Sequence, residues 1–217
     1  MRIGVLGTGV VGATLASKFV EVGDEVVMGS RDGSNDKATG WATTTGGRGR
    51  AGTFADAAEF GEVVVNATSG QASLSALELA GADNLAGKVL VDVANALDFS
   101  QGQPPSLTVA NTDSLAERIQ RAFPSARVVK ALNTVNANVM VNPGDLLAPT
   151  NLFVAGNDQK AKDTVASLLG SFGWAADRIV DLGDISAARG QEAYVLLWVR
   201  LMQALGTAAF NVSIVKV

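Results

Sequence analysis

Short apolar runs alternate with stretches of helical periodicity along most of this chain. Arg2 to Leu6 is apolar and ends in glycines, which predicts a fully buried strand. Val10 to Val22 carries Val11, Leu15, Phe19 and Val22 at helical spacing and stops at Gly23, and Glu25 to Met28 is a second strand. A β-α-β unit within about thirty residues has the length of a right-handed crossover. Arg31 to Arg50 breaks the pattern with Gly, Thr and charge around Trp41; it predicts a loop, or a loop with a short helix running from Asp32 into the forties.

The alternation then resumes. Thr53 to Phe60 predicts a short helix with Thr53 as N-cap, Glu62 to Asn66 a strand, Gln71 to Ala80 a helix and Lys88 to Val93 a strand. Residues 95 to 110 predict a loop, since Pro104 and Pro105 exclude a central strand. Helices are expected over Asp113 to Phe123, Gln159 to Phe172 and Ala187 to Ala208. Strands are expected over Arg127 to Leu132, Asn151 to Ala155 and Ile179 to Leu182, with an extended apolar tail from Phe210 to Val217. Roughly eight strands interleaved with helices mean a mostly parallel sheet covered on both faces. The expectation is one Rossmann-type doubly wound α/β domain over residues 1–217, with residues 157–217 as a small C-terminal α/β extension.

Composition narrows the chemistry. The 217 residues are 47% hydrophobic and 18% charged, as in a soluble globular protein, and the net charge of −4 gives no general attraction for nucleic acid or an anionic membrane. No run of eighteen apolar residues predicts a membrane span. The chain has neither Cys nor His, which removes disulfides, thiolate nucleophiles, Cys/His zinc sites and the Ser-His-Asp triad; no metal site is expected. The absence of Cys suits the cytoplasm.

Gly7-Thr8-Gly9-Val10-Val11-Gly12 is a G-x-G-x-x-G placed between the first strand and the first helix. Gly7 permits the tight turn, Gly9 lets the backbone approach a pyrophosphate, and Gly12 lets the helix lie close to the strand. The helix amino end then offers the Val10 and Val11 N–H groups to the anion. The second strand runs into Gly29-Ser30-Arg31, with no carboxylate at Gly29 or Ser30 to hold a ribose 2′-hydroxyl. Arg31 suits a 2′-phosphate, Ser30 can add a hydrogen bond and Lys37 a second charge, which selects NADP. The alternative is an ordinary solvated Arg31, and Asp32 either points away or holds Arg31 in place.

These motifs, with Val128-Val129-Lys130-Ala131-Leu132-Asn133-Thr134, Phe153-Val154-Ala155-Gly156-Asn157-Asp158, Lys162 and Phe210-Asn211-Val212, resemble the NADPH-dependent coenzyme F-420 reductase family. The pattern is also similar to the cytosolic oxidoreductase domain of the STEAP metalloreductases. The resemblance implies hydride transfer between NADPH and a deazaflavin (coenzyme F-420) or a flavin such as FMN or FAD. It implies that Thr8, Ser30, Arg31 and Lys37 hold the adenosine phosphates and that Thr68 and Ser69 line the cofactor path. Asn95 and the stretch from Asn133 to Ala137 would approach the nicotinamide and the acceptor. The alternative for Thr68, Asn95, Asn133 and Asn136 is a turn residue or helix cap. The sequence departs from the family pattern in carrying Asn136 near an expected proline and in the Gly/Thr-rich stretch from Asp32 to Arg50, which leaves the acceptor open.

Such chemistry asks little of side chains, because the cofactors carry the reactivity. Lys130 is the strongest acid–base candidate, yet its place in a strand favours a salt-bridged structural role. Tyr194, Leu197, Trp198, Leu201, Met202 and Leu205 share a helical face that covers the sheet or, with Ile214 and Val215, meets a second subunit in a homodimer. Two further readings stay open: an imine or hydroxyacid reductase, which usually adds a long helical domain, and a non-enzymatic NADP(H) sensor.

Overall fold

The computed structural model describes residues 1–216. β1 (Arg2–Leu6), α1 (Val10–Glu21) and β2 (Glu25–Ser30) form the first crossover. α2 (Asp36–Thr43), β3 (Gly49–Thr53), α3 (Phe54–Phe60), β4 (Val63–Asn66), α4 (Ser73–Ala80), the one-turn α5 (Ala82–Leu85) and β5 (Val89–Asp92) follow. A small hairpin of β6 (Leu97–Asp98) and β7 (Ser106–Leu107) leads to α6 (Leu115–Ala122) and β8 (Arg127–Ala131). α7 (Ala137–Val141), β9 (Leu152–Gly156), α8 (Gln159–Ser171), β10 (Ile179–Asp181) and α9 (Ala188–Leu205) complete the chain.

Eight strands make one sheet in the order β3-β2-β1-β4-β5-β8-β9-β10, and only the β8–β9 pair is antiparallel. This is the expected doubly wound Rossmann-type fold. Strand order reverses between β1 and β4, so a crevice opens beyond their carboxyl ends. The central strands bury both faces, which explains their unbroken apolar runs. In β4, Val63 and Val65 pack with Leu15, Phe19 and Phe172 on one side, while Val64 packs with Leu77, Leu90 and Ile119 on the other. Each such side chain contributes about 1.5–3 kcal/mol of burial.

The stretch between Arg31 and Arg50 is more regular than its composition predicts. The Asn35 side chain caps α2 by accepting from the Lys37 and Ala38 N–H groups. β3 forms at the sheet edge, pairing Met28 with Ala51 and Ser30 with Thr53, and it draws Gly29 and Ser30 into β2. Its two glycines hide it from propensity. Gly52 is needed there, because a Cβ would come within 2.9 Å of the Asp56 Cβ. Thr53 does cap α3, in a reciprocal capping box with Asp56.

The expected apolar face of α9 is not the one that covers the sheet. Its buried stripe is Ala188, Gln191, Glu192, Val195 and Val199, whereas Leu197 and Leu205 are more than half exposed. The helix is turned by Glu192, whose carboxylate reaches into the sheet, so polar partners override the hydrophobic periodicity. β10 joins the same sheet beside β9 as its outermost strand. The tail runs back along Asn151: the Asn151 N–H donates to the Val212 carbonyl at 2.9 Å, and Phe210 stacks on Trp198 at 5.4 Å. Val217, the last residue of the expected extended tail, lies outside the described residues.

Candidate active site

The glycines of the first turn meet the demands read from their spacing. Gly7 has φ of +119°, and a Cβ on it would come within 2.6 Å of the Ala67 carbonyl. A Cβ on Gly12 would lie 2.1 Å from the Gly7 carbonyl, so α1 touches the turn that precedes it. Gly9 faces open space. α1 has no side-chain N-cap and no acidic residue in its first turn. Its orphan N–H groups and positive dipole end, at Val10 and Val11, are thus left for an anion, with Thr8 half-buried behind them.

Gly29 is glycine for a packing reason, since a Cβ would meet the Ala57 Cβ at 2.8 Å. The missing carboxylate at the end of β2 follows from the approach of α3. Ser30 is buried and its hydroxyl donates to the Asp32 carbonyl. The Asp32 carboxylate accepts from the Ser34 N–H at 2.9 Å and the Ser34 hydroxyl at 2.8 Å; these two bonds hold its carboxyl below the usual range. Asp32 makes no ion pair with Arg31 among the described residues. Arg31 and Lys37 are exposed, and neither enters an ion pair among the described residues. Lys37 stands in the first turn of α2, where the helix dipole disfavours a cation, so helix stability does not account for it.

A cleft of about 730 Å³ opens beyond β1, β4, β5 and β8. It brings together Val10, Val11, Thr68, Ser69, Asn95, Asn133 and Ala137. Gly7, Thr8, Gly9, Gly12, Ser30, Arg31 and Lys37 are not part of its lining; they belong to the first turn and to the end of β2. Asn95 and Asn133 form a reciprocal pair: Asn95 Nδ2 donates to the Asn133 carbonyl at 2.8 Å, and Asn133 Nδ2 to Asn95 Oδ1 at 3.0 Å. Leu132, with φ of +64°, turns the chain out of β8 into this pair. A non-glycine residue in that region signals local strain held by its surroundings. The Asn133 Oδ1 and Thr134 hydroxyl are buried with no protein partner. Asn136 caps α7 and also donates to the Ala208 carbonyl, so the amide standing near the expected proline joins α7 to the tail.

Beneath the cleft lies a charge cluster of which the sequence revealed only one member. Lys130 is fully buried, with Nζ 2.8 Å from Asp92 Oδ2 and 3.0 Å from Glu192 Oε1, and it donates to the Ala94 carbonyl. Burial pushes the Lys130 pKa down, but the two carboxylates outweigh it and leave it raised. The expected salt-bridged role is met. Glu192 also accepts from the Leu115 and Ala116 N–H groups at the amino end of α6. Asp92 takes a hydrogen bond from Asn66 Nδ2 at 2.8 Å, which leaves Asn66 Oδ1 to accept from the Thr68 hydroxyl at 2.7 Å. Asp92 could have been found, as a lone acid in the run Val89–Val93 at the same strand register as Lys130. Glu192, on a distant helix, left no local signal. Polar and aromatic lining residues that the sequence did not single out include Gln71, Asp98, Phe99 and Ser100.

Comparison with known proteins agrees with this architecture. Residues 2–96 match the family model NADP oxidoreductase, coenzyme F-420-dependent. The chain is 31% identical to the metalloreductase STEAP3 of Rattus norvegicus over 205 residues, 90% of this chain and 36% of that protein. It is 29% identical over 212 residues to the F-420-dependent NADP reductase of Methanothermobacter marburgensis, covering 93% of this chain and 92% of the relative. A crystal structure of a candidate F-420-dependent NADP-reductase from Arthrobacter sp. FB24 superposes with a TM-score of 0.95 at 50% identity, covering 100% of both chains. An uncapped helix amino end at the strand switch point suits a dinucleotide's pyrophosphate, and this chain belongs to the coenzyme F-420-dependent NADP oxidoreductases.

Proposed function

We propose that this NADP-dependent oxidoreductase exchanges hydride between NADPH and a planar acceptor, coenzyme F-420 or a flavin, bound in the cleft beyond β4 and β5. The pyrophosphate sits on the Val10 and Val11 N–H groups, and Gly9 leaves it room. Arg31 and Lys37 meet the 2′-phosphate. Thr68 and Ser69 follow the ribose, and Asn95, Asn133 and Ala137 flank the nicotinamide. NADPH supplies a hydride from its nicotinamide C4, the acceptor ring takes it, and water supplies the accompanying proton. The protein's part is to align two rings and to exclude competing reactions.

The observation that carries this reading is the unpaired Arg31 at the end of β2, next to an uncapped and acid-free α1. Mixing the protein with NADPH and then adding F-420, FMN or FAD in turn, while following NADPH absorbance, tests it. Turnover with at least one acceptor is expected; tight NADPH binding with no turnover on any acceptor would favour a sensor instead. The exposed Leu196, Leu197 and Leu205 of α9 support a homodimer, which light scattering would detect as twice the chain mass. Among the described residues no helix is long and apolar enough to cross a membrane, and the absence of Cys supports a cytoplasmic setting.

A further inference from the structure

We propose that the β6–β7 hairpin selects the acceptor by reading a neutral planar ring and leaving any phosphate-bearing chain in solvent. Phe99 supplies a stacking face, and Asp98 disfavours anionic groups at the mouth of the cleft. This rests on the reading that the cleft passes hydride from NADPH to a flavin-like acceptor.

The hairpin forms one wall of the cleft through Leu97, Asp98, Phe99 and Ser100. Its base is fixed on two sides. Gln71 Nε2 donates to the Leu97 carbonyl at 3.1 Å, tying the hairpin to the loop after β4. Gly70 packs so tightly on the same base that a Cβ would lie 2.3 Å from the Asn95 carbonyl. The Thr108 N–H donates to the Ala96 carbonyl at 2.8 Å and anchors the returning arm. From this base Phe99 is held 51% exposed at the rim. An aromatic ring presented on a cleft wall offers apolar area and a quadrupole to a second flat ring.

Electrostatics decide which flat ring. Asp98 is the single charged side chain that lines the cleft, and no Lys or Arg lines it. The carboxylate accepts from the Ser100 N–H at 2.8 Å and the Ser100 hydroxyl at 3.0 Å, which fixes its direction and holds its charge well below neutral pH. The cations that suit an anion, Arg31 and Lys37, stand at the end of β2 and the start of α2, outside the cleft lining. A phosphate on the acceptor would find no partner here and would meet a like charge. At a separation of about 10 Å, one carboxylate against a phosphate of charge about −1.5 is worth about threefold at low ionic strength and little in high salt.

Riboflavin and FMN test the inference, since they share a ring and differ by one phosphate. In either case the hydride leaves nicotinamide C4 for flavin N5, and flavin N1 takes a proton from water, giving NADP and the dihydroflavin. The expected kcat/KM for riboflavin is about threefold that for FMN at low salt. Asp98→Asn should bring the ratio near one by raising the FMN value. Phe99→Ala should lower kcat/KM for both by about tenfold while leaving NADPH affinity unchanged. A preference for FMN, or a ratio that Asp98→Asn leaves in place, overturns the assignment. If neither flavin turns over, the proposed function is decided separately by turnover with F-420, and quenching of flavin fluorescence still decides the hairpin's role: tighter binding of riboflavin than of FMN, with both weakened in Phe99→Ala, supports it, and equal binding of the two flavins to the native protein overturns it.

Discussion

Replacing Lys130 by methionine removes the one cation from a cluster that holds two carboxylates. The side chains of Lys130 and Asp92 are fully buried and that of Glu192 is 2% exposed, so solvent cannot screen what remains. Each acid keeps some support: Asp92 the Asn66 amide, Glu192 the two N–H groups of α6. Their mutual repulsion does not vanish. Breaking a buried pair from one side costs about 3–5 kcal/mol. For a chain of this length that is a fall in Tm of roughly 6–20 °C.

Two further outcomes separate this account from simple loss of packing. Methionine fills most of the lysine volume, so Lys130→Met combined with Asp92→Asn should be more stable than Lys130→Met alone, a coupling visible in a double-mutant cycle. In the single variant a buried carboxylate sits beside a like charge, which raises its folded pKa above the unfolded one. The folded state then binds the extra proton, and the Tm gap to the native protein should narrow from pH 8 to pH 5. In the native protein the sign is the same, but the window lies at higher pH. The raised Lys130 pKa means its contribution is complete below the ordinary lysine value and is lost only as pH climbs through the folded one. Thermal unfolding by circular dichroism measures all of this. A single variant within about 2 °C of the native Tm, or a gap that does not change with pH, would refute the reasoning.

Arg31→Glu should weaken NADP binding by about tenfold to a hundredfold in calorimetry and spare NAD, and an equal loss for both would show that Arg31 does not read the phosphate. Gly9→Ala adds a methyl group where no protein atom lies within 4 Å, so Tm should hold while NADP and NAD both bind more weakly; an unaltered affinity would place the pyrophosphate elsewhere. Gly12→Ala instead drives a Cβ to 2.1 Å from the Gly7 carbonyl and should lower Tm as well, by overpacking of about 1–3 kcal/mol, with retention of the native Tm as the contrary result. Glu117 is held below the ordinary carboxylate range mainly by the Arg189 guanidinium, so its contribution is present above the unfolded value and fades as pH falls through the folded one. Glu117→Gln should therefore lower Tm at pH 7 and flatten its decline between pH 7 and pH 3, and parallel curves for the two proteins would count against the pair.

The parts of this molecule that were legible in the sequence are those set by local rules. Buried parallel strands announce themselves as apolar runs such as Val63-Val64-Val65, and the first turn announces itself because each glycine answers a separate steric demand. What stayed hidden depends on partners far along the chain. β3 is a strand because β2 offers it an edge, not because Gly49-Arg50-Ala51-Gly52-Thr53 prefers to extend. α9 presents Glu192 inward to Lys130 and α6, and Gln191 inward to the Phe153 carbonyl and Asn133, so a periodicity that weighs only apolar residues does not find the face that covers the sheet.

The same long-range logic reaches the cleft. Asp92 fixes which end of the Asn66 amide faces Lys130's cluster, and Asn66 in turn takes the Thr68 proton, so Thr68 shows the cleft its lone pairs rather than its hydrogen. A ligand group beside Thr68 is therefore required to donate, as a ribose hydroxyl or a carboxamide N–H can. The buried charges set that polarity without touching the ligand. If Asp92→Asn keeps its fold yet leaves nucleotide affinity unchanged, the amide is oriented by Ser73 alone and the cluster serves stability only.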